Sequence, residues 1–171
     1  MSIITSYFDP LLVGRRPNRH YTESNAWQYL WSVQHDASGL IKLLGGNQAF
    51  TERLDTFFNM DASITPPKYV GVVGTIGQYV HGNQPSHHVA YLYNYAAQPW
   101  KTQYWVREVL KRFYRTGPAG LCGNEDMGSL SSWYLMSSMG LYSVTPGSSQ
   151  YVIASPLFDE VSFGVKDGKT F

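Results

Sequence analysis

The 171-residue chain is predicted to be mainly α with a short β-rich tail. Apolar residues recur at helical spacing from Trp27 to Met139, and prolines and glycines cluster between those stretches rather than inside them. Beyond Pro146-Gly147 the spacing changes to an alternation of two.

Residues 1 to 22 contain Pro10, Gly14 and Pro17 without a sustained period and are expected to form an irregular lead-in. A first helix is predicted over Asn25 to Val33, with Trp27, Tyr29, Leu30 and Trp31 crowded on it. Asn47 can cap a second, in which Phe50, Leu54, Phe57 and Phe58 fall at i, i+4, i+7 and i+8. Ser63 to Gly82 holds two prolines and four glycines and is expected to be loop. Ser86 opens a further helix through His87, His88, Val89, Tyr91, Leu92 and Tyr95. It should stop near Gln98-Pro99, because proline disfavours helix in the residue before it. Pro99 suits the first turn of the next helix. That helix would turn Trp100, Tyr104, Trp105, Val109, Leu110 and Phe113 inward and Lys101, Arg107, Lys111 and Arg112 outward. A last helix, with Leu130, Trp133, Tyr134, Met136 and Met139 at helical spacing, should end at Gly140 in a left-handed cap. In the tail, Tyr151 to Ile153 and Val161, Phe163 and Val165 are read as two short strands, with Asp167-Gly168 as a turn. Helices joined by long polar loops suggest a toroid of helical hairpins with its loops gathered at one face.

Composition narrows the function classes. Aromatic residues make up 15% and charged residues also only 15%, against about 25% charged in ordinary soluble domains. Rings that pack on the C–H face of a sugar, with amides for its hydroxyls, fit that balance, and so does a large core. A formal net charge of +1, with no basic run longer than Arg15-Arg16, gives no reason to expect nucleic acid or an anionic membrane as partner. The single Cys122 excludes an intrachain disulfide framework. No apolar run approaches the roughly 18 residues of a membrane span, and residues 1 to 20 do not have the pattern of a signal peptide.

Three clusters could carry chemistry. Glu23, flanked by Asn25 and Gln28, precedes an aromatic helix, where a carboxylate either favours the helix dipole or meets a substrate. His81-Gly-Asn-Gln-Pro-Ser-His-His88 brings three histidines together, but it lacks a His-Glu-x-x-His or cysteine-pair pattern for zinc. Asn83, Gln84 and loop carbonyls would instead suit a hard cation such as calcium, or sugar hydroxyls. Asn124-Glu125-Asp126, between Gly123 and Gly128, sets polar acceptors where the backbone can approach a ligand. Asp126 is either the N-cap of the last helix or an acid/base. Two carboxylates distant in sequence, each at a loop-helix junction among amides and aromatics, are what glycoside hydrolysis requires. A serine nucleophile and a phosphate-binding loop lack their motifs.

The segments YTESNAWQYLWSVQHDASGLIKLLGG, HGNQPSHHVAYLYNYAAQPWKTQYWVREVL and GLCGNEDMGSLSSWYLMSSMGLYSVTPGSSQYVIASPLFDEVSF, in this order, resemble glycoside hydrolase family 92, the calcium-dependent exo-acting α-mannosidases. The resemblance implies part of an (α/α)6 barrel over 1–146, a β-rich tail over 147–171, and an N-terminal β-sandwich domain that 171 residues cannot include. It further implies hydrolysis of terminal α-mannosidic bonds in mannose-rich glycans with inversion, by a parent enzyme that is secreted or periplasmic. Glu23 would be the general acid and Asp126 the base that activates water, with Asn124 beside that water. Asn83, Gln84, Glu125 and His87 would contact substrate, with Asn83 and Gln84 candidates for calcium and Asn124 a further one. The chain departs from the family pattern at Gln84, where Glu is frequent, and at Ser24, where Gly is usual. A barrel lacking its early hairpins is expected to expose faces such as Phe50, Leu54 and Phe57, leaving the chain unstable or inactive alone. The alternative is a non-catalytic carbohydrate-binding or structural remnant.

Overall fold

A computed structural model describes residues 9–13, 21–64, 71–166 and 170. The chain is helical with four two-residue strands among these residues. The elements are α1 (Ala26–Tyr29), a 3₁₀ turn (Gln34–Asp36), α2 (Ala37–Leu43), α3 (Asn47–Asn59), β1 (Thr75–Ile76) and β2 (Tyr79–Val80). They continue with 3₁₀ segments Gln84–Ser86 and Val89–Asn94, then α4 (Pro99–Phe113), α5 (Ser129–Ser138), β3 (Leu141–Tyr142) and β4 (Val152–Ile153).

The first helix is shorter than the spacing predicted. Asn25 and Gln28 close a reciprocal capping box, each side chain accepting from the other's backbone N–H at 3.1 and 3.0 Å. The chain leaves the helix so that Trp31 can turn inward, where it is fully buried edge-on against Phe50 and Phe57. In α3 the predicted stripe holds, and Phe50, Leu54, Phe57 and Phe58 are all buried. Gly46, not Asn47, occupies the cap position. Burial of Phe50, Leu54 and Phe57 corrects the expectation that a short chain would leave them in water: the 3₁₀ segment Val89–Asn94 and α4 cover that face through Tyr93 and Trp105 stacked on Phe58.

Two further expectations change. Within Ser63 to Gly82, Thr75-Ile-Gly-Gln-Tyr-Val80 forms an antiparallel hairpin, Thr75 opposite Val80 and Ile76 opposite Tyr79. A two-residue loop beginning with glycine is the signal for it. Gly77 sits at φ 57°, and a Cβ there would lie 2.5 Å from the Phe57 carbonyl oxygen, so the hairpin tip rests on the end of α3. The predicted helix from Ser86 is 3₁₀ rather than α. Val89 to Tyr93 are buried without a wet face, and β-branched and aromatic side chains lose χ1 freedom in an α-helix.

Helix α4 starts at Pro99 as expected, but its inner stripe is Thr102, Trp105, Val106, Val109 and Leu110. Trp100 and Tyr104, expected inside, are 59% and 56% exposed; Tyr104 is one position, or about 100°, from Trp105, and Trp100 is two positions, or about 200°, from Thr102. Lys101, expected outside, is half-buried instead, paired with Asp55 and lying over the Tyr93 ring. Helix α5 ends before Gly140, whose φ of 78° gives the left-handed cap. In the tail, β4 pairs with β3, Leu141 opposite Ile153 and Tyr142 opposite Val152. Tyr142 stacks on Tyr91 at 4.3 Å. Val161, Phe163 and Val165 form no second strand among the described residues; they are exposed, and an isolated Gly164–Thr170 bridge lies beside them. Asp167 and Gly168 lie outside the described residues. No helix of the described residues is long and apolar enough to cross a membrane.

Candidate functional site

Three segments stand in series near α1 and α5: residues 21–25 bond to residues 74–84, which in turn touch residues 122–128. Gln78 ties the first to the second. Its Oε1 accepts from Asn25 Nδ2 at 2.8 Å, its carbonyl accepts from Gln28 Nε2 at 3.1 Å, and its own amide donates to the carbonyls of Asp61 and Ser63. The second and third loops touch through glycines, where a Cβ on Gly123 would lie 2.4 Å from the Gly82 Cα. That approach places Gln84 so that its Nε2 donates to Asp126 Oδ2 at 2.9 Å and to the Asn124 carbonyl at 3.4 Å.

Beneath these loops lies a floor of neutral rings. Tyr114 O–H donates to the Leu130 carbonyl at 3.0 Å, so its oxygen is left to accept from His81 Nε2 at 2.6 Å. The other His81 nitrogen, Nδ1, then accepts from the Tyr79 hydroxyl at 2.7 Å. Burial, reinforced by the neighbouring His87, holds His81 well below the ordinary imidazole range. His87 Nε2 donates to the His81 carbonyl at 3.0 Å and His88 Nε2 to that of Trp31 at 2.7 Å. Burial lowers His87 and brings His88 to about 4. Trp133 closes the floor by donating to the His87 carbonyl at 3.0 Å and packing at 4.4 Å from the His81 ring. These histidines are scaffold, their ring N–H groups spent on backbone and tyrosine rather than on zinc. His87, a candidate for substrate contact, is buried in this floor, with Nδ1 facing Ser129 Oγ at 3.4 Å.

Glu23 and Asp126 are different. Both are exposed. Among the described residues only four non-glycine residues have positive φ, and these two are among them, at 58° and 22°. Such backbone costs on the order of 1–3 kcal/mol and gathers at functional sites. Asp126 does not cap α5. Gly128 holds the cap position, and the side chain that reaches the helix start is Glu125, whose Oε1 accepts from Ser131 N–H at 3.2 Å. Its Oε2 is buried without a hydrogen-bond partner among the described residues. Asn124 is exposed and Asn83 buried. Sequence reasoning missed Gln78, Tyr114 and Trp133; only the hairpin around Gly77 could have drawn attention to the first.

For a hard cation, the available donors are oxygens: Asn83, Gln84, Asn124 and the unpartnered Glu125 Oε2, in a loop rich in carbonyls. No cluster of three His, Cys, Asp or Glu suited to a metal occurs among the described residues, so such a cation would rely on amide and carbonyl oxygens beside the single Glu125 carboxylate. That donor chemistry fits calcium and not zinc.

The model of the glycosyl hydrolase family 92 catalytic domain matches residues 5–171. The chain belongs to this family. A secreted glycosidase of Arthroderma benhamiae is 33% identical over 140 residues, covering 82% of this chain and 16% of that protein. A family GH92 α-mannosidase from Bacteroides thetaiotaomicron superposes with TM-score 0.81 at 38% identity, over 96% of this chain and 20% of the other. The same enzyme in complex with mannoimidazole gives 0.84, over 96% and 22%. An inverting GH92 mannosidase from that organism gives 0.70 at 42% identity, over 88% and 21%. The chain thus spans 16% to 22% of the length of these relatives, and the solved structures it resembles include that of a family GH92 α-mannosidase.

Proposed function

We propose that the chain carries the acid and the base of an inverting exo-α-mannosidase acting on mannose-rich glycans, within an (α/α)6 barrel completed by further polypeptide of a secreted or periplasmic enzyme. The observation that carries the reading is the state of Asp126. Its backbone is held at positive φ, its side chain is exposed, and its carboxylate is aimed by Gln84 rather than spent on helix capping. A strained, oriented, solvent-facing carboxylate with no structural task is what a general base requires.

In this reading Glu23 gives its proton to the leaving glycosidic oxygen, and Asp126 takes one from a water attacking the opposite face of the mannose ring. Asn124 lies beside that water. The two carboxyls should then stand roughly 6.5–9.5 Å apart in the working enzyme. Calcium, held by oxygens from among Asn83, Gln84 and Asn124, would draw on sugar hydroxyls and favour a distorted ring. The complex of the B. thetaiotaomicron relative with mannoimidazole supports the same substrate class.

The test is turnover of an aryl α-mannoside by the enzyme containing this segment, followed by proton NMR of the first-formed sugar. β-Mannose must appear first, and Asp126→Asn must lower kcat by about 10²–10⁴-fold. A chelator should remove activity that calcium restores. α-Mannose as first product, or an Asp126→Asn variant at full rate, rejects the assignment.

A further inference from the structure

One residue holds both flanks of the loop that carries Asp126. The Tyr114 backbone, just past α4, forms an antiparallel bridge with Leu121, and the adjoining Arg115 N–H donates to the Gly120 carbonyl at 3.1 Å. These contacts fix the chain as it enters the loop. The Tyr114 hydroxyl donates to the Leu130 carbonyl at 3.0 Å and so fixes the chain as it leaves, in the first turn of α5. The same oxygen accepts from His81 Nε2 at 2.6 Å, three residues before the Gln84 that reaches Asp126. Burial, reinforced by Cys122 and Glu125, raises Tyr114 above the usual phenol range, so its hydroxyl stays a donor.

Between the flanks the backbone is strained. Asp126, Met127 and Gly128 have φ of 22°, 61° and 78°, three successive residues at positive φ of which only the last is glycine. A residue with a Cβ keeps such a conformation only where its surroundings over-determine it. Packing of the two side chains does not do this, because Asp126 and Met127 are both exposed. Bonds within the loop give the turn its shape: Ser129 N–H donates to the Glu125 carbonyl at 2.7 Å and to that of Asp126 at 3.2 Å. Gly123 sets the turn against Gly82 at one point, and where it stands over the floor then depends on its two flanks. We propose that Tyr114 is a positioning residue for Asp126: by holding Leu121 and Leu130 together it sets where the strained turn presents its carboxylate. The role rests on the reading of Asp126 as the base and adds to it a group that works through Asp126 rather than on the substrate.

The test is a double-mutant cycle in the enzyme containing this segment, read by turnover of an aryl α-mannoside. Tyr114→Phe keeps the bridge to Leu121 and the ring stacked on Trp133 at 5.9 Å, and it removes only the hydroxyl bonds. It also leaves the buried His81 donor unpaired, so lower stability is expected whatever the role of Tyr114, and the rate of the folded enzyme decides. With folding checked by circular dichroism, kcat should fall about tenfold while KM stays within about twofold. In the Asp126→Asn background the same substitution should change kcat by less than about twofold, since a residue that only aims the base has nothing left to aim. 4-Aminophenylalanine at position 114 keeps a weaker N–H donor toward Leu130 and should lose only about threefold, again with no further loss in Asp126→Asn. It takes the place of phenylalanine in the cycle if Tyr114→Phe does not fold. Equal losses of kcat in both backgrounds, or an unchanged kcat with a lower melting temperature alone, overturn the proposal and leave Asp126 as the base. Asp126→Asn at full rate overturns it together with that reading.

Discussion

The two carboxylates proposed for catalysis stand on turns that are held in opposite ways. The Glu23 turn is fixed by buried side-chain amides: Asn25 and Gln28 bond each other, and Gln78 bonds them both. The Asp126 turn is fixed by backbone, through the Gly82–Gly123 approach, with a single solvent-facing bond from Gln84 to the carboxylate. A polar network resists displacement because each buried donor it loses stays unsatisfied. A glycine contact resists only substitution. Glu23 is thereby placed by a rigid frame, whereas Asp126 keeps a turn whose last adjustment is a surface hydrogen bond.

The largest effect is expected from removing the shared strut. Gln78 is 1% exposed, and Gln78→Ala removes the acceptor of Asn25 Nδ2 as well as the bonds to Asp61 and Ser63. Asn25 is fully buried and would keep an unpaired amide. Urea denaturation should register a loss of about 3 kcal/mol, at about 0.5–1.5 kcal/mol per bond plus the stranded donor. A loss below about 1 kcal/mol would mean that the network is not what holds the Glu23 turn.

Gly123→Ala probes the other turn and should cost less, about 2 kcal/mol, because two backbone segments must separate to admit one methyl group. The informative part is where the damage falls. Amide exchange should rise in residues 122–128 and leave 23–28 unchanged, the reverse of the Gln78→Ala pattern. Equal loosening of both turns would erase the distinction between them.

These contrasts also explain what could be read from the sequence. Helix α3 was legible because its stripe of Phe50, Leu54, Phe57 and Phe58 has one buried face and one wet face. The Val89–Asn94 segment was legible as helical but not as 3₁₀, since a stretch covered on almost every side carries no period. On α4 the register slipped at Trp100 and Tyr104, because size and hydrophobicity attract a reader even where the helix turns them to water. Glu23 and Asp126 could be singled out as carboxylates at loop-helix junctions, where the structure also puts them. The Gly82–Gly123 approach could not, because a close contact between loops forty residues apart leaves no local pattern. His81, His87 and His88 show a related limit: sequence displays a histidine's chemistry but not the carbonyls that consume its N–H.

The smallest effect on stability should come from Gln84→Ala, and for that reason it separates aiming from folding. Gln84 is partly exposed and its bond to Asp126 faces solvent, so unfolding should shift by less than about 0.5 kcal/mol. If the amide aims Asp126 at the attacking water, kcat of the enzyme containing this segment should still fall by on the order of tenfold, the value of about 1.4 kcal/mol of lost orientation. Half-saturation by calcium distinguishes this role from metal binding. An amide that only aims the base leaves calcium affinity unchanged when removed, whereas an amide oxygen on the metal weakens it. A fall in kcat at constant calcium affinity would therefore assign Gln84 to aiming Asp126, and a rise in the calcium requirement would move it to the cation and leave the Asp126 carboxylate without that role for Gln84.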